Sequence, residues 1–159
     1  MGDTEKDDMK AECKIDFSGF EAKSIRVKFA LSEAIKEALE FGMDELSRKV
    51  TANLSGIRHK PGTKSPYPGQ LPVTKISTNL SQSVASKRID LLHGAVYIRK
   101  DKAPYAKWVH YGTKKMKPRR FMTDAIADRR QAIINKQRYL VKLALRKAGG
   151  GDTSKIFNF

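Results

Sequence analysis

Three histidines, one cysteine and 17 carboxylates are the groups in this 159-residue chain able to move protons, ligate metal or attack a substrate. Their placement argues against each of these uses. His59, His93 and His110 share no metal-ligand spacing with one another or with Cys13. Between residues 58 and 120 the only acids are Asp90 and Asp101, too few for a two-metal nuclease or a carboxylate acid–base pair. No Gly-x-x-x-x-Gly-Lys phosphate loop occurs. The sequence therefore reads as that of a protein that is not an enzyme, with no catalytic residues, no metal and no cofactor.

The chemistry that remains is non-covalent and is densest at residues 104–125. This stretch holds the only Trp, two of the five Tyr and a run of cations. Tyr105, Trp108 and Tyr111 (or Val109) fall one helical turn apart, so a short helix can present them on one face. Gly112 then ends that helix, as a glycine does at a position needing positive φ. Lys114, Lys115 and Lys117 follow, and Pro118 suits the entry to the next helix, which Phe121 opens. Two readings stand side by side. In one, the stretch is a helix–loop–helix joint with its aromatics in the core, built on Gly112, Thr113, Met116, Pro118 and Phe121. In the other, Tyr105, Trp108, His110, Lys114, Lys115, Lys117, Arg119 and Arg120 form an assembly interface.

These residues resemble the signature of a phage family: the tail-completion, or neck, proteins of long-tailed bacteriophages (gene-product-ten-like minor tail proteins). There a Tyr-Ala-x-x-Val-Glu-x-Gly-Thr run precedes Met-Pro-Ala-x-Pro-Phe-Leu and a C-terminal helix. Tyr105, Ala106, Val109, Gly112, Thr113, Met116 and Phe121 match, and Ala125 falls where the family has a small residue. His110 stands in place of the usual acid, Lys117-Pro118 shifts the first proline, and Arg120 replaces the second. A second motif, Pro followed by Thr-Gly-x-Leu-x-x-Ser-Ile, is matched by Pro72, Ser77, Leu80, Ser83 and Val84, with Thr78 where the glycine would be. Together the motifs cover roughly residues 61–125. The resemblance implies a structural virion protein of the neck or tail end. It would assemble as a ring of copies, complete the tail and join it to the head. Its implied partners are copies of itself and other neck and tail proteins (terminator, stopper or tail-tube proteins), with non-specific contact to DNA in the channel. Its implied location is the virion, and the host cytoplasm during assembly.

Charge is consistent with this and with one alternative. The formal net charge is +15, but it is segregated. Residues 1–57 carry 9 Lys+Arg against 12 Asp+Glu, residues 58–120 carry 15 against 2, and residues 121–159 carry 8 against 3. An acidic first third and a strongly basic middle suit a polyanion or an acidic protein surface. The alternative is a stand-alone nucleic-acid-binding protein, although no Gly-rich RNA-binding signature or helix-turn-helix spacing is present. A transient assembly chaperone is a third class. One cysteine excludes an internal disulfide framework, no apolar run approaches membrane-spanning length, and no membrane partner is expected.

The elements that must position these residues follow from periodicity. Residues 1–14 read as a flexible acidic tail, and residues 15–20 as a short strand or arm. Leu31, Ile35, Leu39, Met43, Leu46, Val50 and Leu54 recur at three- and four-residue steps, which predicts a long helix over 28–54. Residues 58–76 form a Pro/Gly loop that reads as an arm for a neighbouring subunit, with Tyr67 and Leu71 as its apolar contacts, or else as a loose excursion. A short helix over 77–84 precedes strands at 84–91 and 94–99, which pair as a hairpin. A final helix spans 119–148, and 149–159 read as a flexible tail. The expected fold class is α+β: one domain over 15–148, two long helices packed on a small antiparallel sheet.

Overall fold

The computed structural model describes residues 10–14, 25–73 and 77–148. The expected segments at 15–20 and 149–159 lie outside the described residues. In chain order the elements are β1 (Lys10–Lys14), α1 (Ile25–Asn53), α2 (Asn79–Gln82), β2 (Val84–Arg88), β3 (His93–Ile98), α3 (Ala106–Tyr111) and α4 (Phe121–Lys147). The fold is α+β, with the two long helices packed on an antiparallel sheet of order β1-β3-β2.

The long helices form where the apolar stripe is continuous. All seven periodic positions from Leu31 to Leu54 are buried, and they face Phe121, Ala125, Ile133, Leu140, Val141 and Leu145 on α4. Each such leucine contributes about 1.5–3 kcal/mol on leaving water. The helices run antiparallel, because contacts rising along α4 fall along α1. The Asn53 Nδ2 donates to the Phe121 carbonyl at 2.9 Å, Lys49 meets Asp128 at 2.8 Å, and Arg129 meets Glu45 at 3.2 Å. At the far end Gln137 donates to the Ala38 carbonyl at 3.5 Å. The two ion pairs lie at the surface and contribute little. The buried amides matter more, since each satisfies a polar group that the core would otherwise strand. Ile126, by contrast, lies on the exposed side of α4.

β3 is the central strand. It drives Val96 and Ile98 into the core beneath α1 and is paired on both edges. The hairpin turn falls earlier than expected. β2 ends at Arg88, and Asp90 shapes the turn by accepting the Leu92 and His93 backbone N–H groups on Oδ1, both at 2.8 Å. His93 therefore opens β3 instead of sitting in the turn, since an Asp side chain that bonds its own downstream backbone sets a tight reversal.

Two expectations are corrected here. Lys10–Lys14, assigned to the acidic tail, is a strand that pairs along β3, with Lys10 opposite Tyr97 and Lys14 opposite His93. A two-stranded ribbon is marginal alone, and the third strand completes it. The Pro/Gly loop does not project as a free arm over its described part. Its return is fixed where Val73 N–H donates to the Asn53 carbonyl (2.6 Å) and Gly56 N–H to the Val73 carbonyl (3.1 Å). The peptide between Leu71 and Pro72 is cis.

Candidate assembly interface

The joint between α3 and α4 is built from backbone. The Gly112 N–H donates to the Trp108 carbonyl at 2.9 Å and closes α3. Gly112 has φ +78° and ψ 178°, a region that essentially only glycine occupies. The chain then doubles back through a small bridge in which Thr113 N–H donates to the Met116 carbonyl (2.9 Å) and Met116 N–H to the Thr113 carbonyl (3.2 Å). A Cβ on Gly112 would stand 2.7 Å from the Met116 carbonyl oxygen and 2.8 Å from the Pro118 nitrogen. Beyond Pro118, the Arg119 N–H donates to the Val109 carbonyl at 3.0 Å, the chain turns at Arg120 with the Phe121 N–H donating to the Arg119 carbonyl at 2.7 Å, and α4 begins at Phe121. Phe121 is fully buried.

α3 is amphipathic over barely two turns, and this sorts the predicted interface residues. Ala106 and His110 face inward, with Tyr105 and Val109 packed against the core beside them. Trp108 and Tyr111 face outward, 60% and 64% exposed. The aromatics therefore do not share one face. Tyr67 is exposed on the loop, whereas Leu71 is half-buried against the core. Lys114, Lys115, Lys117 and Arg120 are exposed, as are Lys64 and Lys107.

His110 and Arg119, expected at the interface, belong to the interior and are corrected on that ground. His110 is 3% exposed. Its ring meets Phe121 edge-on with centroids 4.9 Å apart, and Nε2 lies 3.3 Å from the Thr123 hydroxyl. Burial holds its pKa below the usual imidazole value, opposed by nearby Asp124 and reinforced by Arg120. Arg119 is 6% exposed. Its Nη2 donates to the Ser65 hydroxyl at 2.5 Å and to the Tyr67 carbonyl at 3.3 Å. Burial disfavours its charge too, and these bonds replace part of the lost hydration. The guanidinium is thus a tie that draws the Pro/Gly loop onto the α3–α4 joint.

Between loop and joint lies an open cleft of about 750 Å³. Its floor is apolar, with Leu54, Val73, Leu80, Tyr105, Val109 and Met116. Its rim carries His59, Lys64, Lys115 and Lys117, and no carboxylate lines it. Residue spacing singles out neither Lys64 nor Ser65, which sit in a loop without periodicity, and raises His59 only as a metal ligand. Tyr111 is legible from its three-residue step from Trp108, and the structure adds it to the exposed residues of the joint. Among the described residues no group of three or more His, Cys, Asp and Glu side chains comes together to hold a metal ion, and no helix is long and apolar enough to cross a membrane. The arrangement offers a cationic edge, two outward aromatics and an apolar cleft, which suits binding. No protein-family model, curated protein or solved structure matches this chain.

Proposed function

We propose that this chain is a structural protein of a bacteriophage neck or tail end, which assembles as a ring of copies, completes the tail and joins it to the head. The observation that carries the proposal is the packing of the two motif-bearing stretches on each other. Val73, Ser77 and Leu80 of the one line the same cleft as Tyr105, Val109 and Met116 of the other, and the joint leaves Trp108 and Tyr111 in solvent. Large exposed aromatics flanked by lysines, on a segment held by backbone geometry, suit a protein contact better than a core role. Other copies of the chain, with terminator, stopper or tail-tube proteins, are the proposed partners, and the virion is the proposed location.

The test is assembly in a phage that encodes this chain. Replacing Lys114, Lys115 and Lys117 together by Ala should leave the circular dichroism and melting of the purified protein unchanged, because all three are exposed. Electron microscopy of the lysate should then show unjoined heads and tails. Joined particles at wild-type yield refute the proposal.

The same two aromatics favour one other reading, a single-strand nucleic-acid binder that stacks bases on Trp108 and Tyr111. A titration against duplex and single strand at two salt concentrations separates the two. Contacts resting on counterion release weaken steeply with salt. Nanomolar binding that survives physiological salt favours the nucleic-acid reading and overturns the neck reading.

A further inference from the structure

The cleft between loop and joint has the chemistry of a receptor for an acidic surface with an apolar anchor. Its floor is apolar, and Lys64, Lys115 and Lys117 on its rim meet no carboxylate among the described residues. It is also preformed. Arg119 ties the loop to the joint through Ser65 and Tyr67, and the Val73–Asn53 and Gly56–Val73 bonds hold the loop's return. A ligand there need not order the walls that receive it. The matching surface lies on α1. Glu33, Glu37, Glu40 and Asp44 are exposed and fall at steps of four, three and four residues, which aligns them on the face opposite the buried Leu31–Leu54 stripe. The only base between Glu33 and Asp44 is Lys36. Of the four acids only Glu40 meets a base among the described residues, Arg88 at 4.0 Å. Like charges at these spacings repel, so the acidic row costs the isolated helix stability. One turn before Glu33 stands Phe29, the most exposed of the large apolar side chains described.

We propose that copies of this chain associate through these two surfaces, the acidic row of α1 on one copy seated on the cleft of the next. Its carboxylates meet Lys64, Lys115 and Lys117, and the Phe29 ring covers the apolar floor. Neither surface can be satisfied within one copy. The Asn53 end of α1 is fixed at the joint by its bond to the Phe121 carbonyl, and Leu54 lies in the cleft floor. Asp44 and Glu33 stand nine and 20 residues upstream of Asn53, about 14 Å and about 30 Å along the helix axis, on the side away from the core that Leu54 joins. Row and cleft are different patches, so the contact is heterologous and leaves each copy one face for a further copy. Nucleic acid fits this cleft less well. Trp108 and Tyr111, the exposed rings on which a base would stack, are not among its lining residues. The contact supplies the two faces of the proposed ring and rests on that reading for self-association alone; it needs neither head nor tail.

Sedimentation equilibrium of the purified full chain at low salt, from micromolar to millimolar protein, tests this. The wild type should self-associate, and added salt should weaken the association. One variant reverses the row (Glu33→Lys/Glu37→Lys/Asp44→Lys), and a second reverses the rim (Lys64→Glu/Lys115→Glu/Lys117→Glu). All six positions are exposed, so circular dichroism should match the wild type. Each variant alone should associate at least about tenfold more weakly, because like charges then face each other. The rim variant lowers the net charge of +15 by six, so its loss cannot come from general repulsion. An equal mixture of the two variants should associate again, since each offers the other opposite charges at both contacts. Phe29→Ala should weaken association without changing its salt dependence. Variants that associate as the wild type does, a mixture no better than its components, or an unaffected Phe29→Ala overturns these faces while leaving the ring reading to its virion assay. A wild type that stays monomeric throughout also overturns the contact and leaves the cleft to an acidic segment of another protein.

Discussion

Replacing Gly112 by Ala isolates what the α3–α4 joint asks of its backbone. The residue sits at φ +78° and ψ 178°, where a Cβ costs about 1–3 kcal/mol in conformation alone. The added carbon also meets backbone atoms that cannot swing aside, at 2.7 Å from the Met116 oxygen and 2.8 Å from the Pro118 nitrogen. Relief requires the turn to open. That breaks the Thr113–Met116 pair and strains the Arg119–Val109 bond, at about 1 kcal/mol for each bond lost. The expected total is about 3–5 kcal/mol. Gly62→Ala is the control, because Gly62 also has φ +78° but nothing lies within 4 Å of its would-be Cβ. It should lose only the conformational part, about 1–2 kcal/mol. Urea titrations followed by far-ultraviolet circular dichroism give both values from midpoints at a common slope, with Gly112→Ala displaced by roughly 2 M. If Gly112→Ala costs no more than Gly62→Ala, the crowding at the joint is not what fixes it, and the reasoning fails.

Asn53→Ala removes the buried donor to the Phe121 carbonyl and should cost about 1–3 kcal/mol, while Phe121→Ala should cost about 3–5 kcal/mol; chemical denaturation reads both. His110 gives a pH dependence. Its folded pKa lies below the unfolded 6.5, so its contribution is complete above pH 6.5 and declines as pH falls through that value toward the folded one. The slope in that window should not exceed about 1.4 kcal/mol per pH unit, and His110→Gln should flatten it; an unchanged slope in the variant refutes the assignment. Trp108→Ala and Tyr111→Ala should each change stability by less than about 0.5 kcal/mol, as exposed positions do, while lowering head–tail joining in the virion assay.

The parts of this fold legible in the sequence are those whose signal is local and long. Seven positions from Leu31 to Leu54 keep one face of a helix through about six turns, so the stripe identifies itself. Gly112 was legible because a glycine between a short aromatic helix and a proline has few other uses. β1 was not, because Lys-Ala-Glu-Cys-Lys has weak strand propensity and its partner lies 79 to 87 positions away. Nor was the burial of Arg119, whose acceptor at Ser65 is 54 positions upstream in a loop with no pattern. At α3, a six-residue helix with an aromatic just before it at 105 and two within it at 108 and 111 does not say which side will be covered. The Pro/Gly loop and α4 decide it, and they put Tyr105 with the core and Trp108 with solvent.

The pairing of α1 with α4 has a consequence for synthesis on the ribosome. Asn53 and Phe121 are 68 positions apart, and Ala38 and Gln137 are 99 apart. At 5–20 residues per second, the ribosome therefore adds residues for roughly 3–14 s after Asn53 before the first turn of α4 exists. Throughout that time the Leu31–Leu54 stripe lacks the long helix it lies against, and the small sheet with the single turn of α2 is too little to hide it. The nascent protein thus carries its stickiest surface first and its cover last. A chain halted within residues 54–120 would present that stripe bare to chaperones and to other nascent chains, whereas one halted after α4 would not.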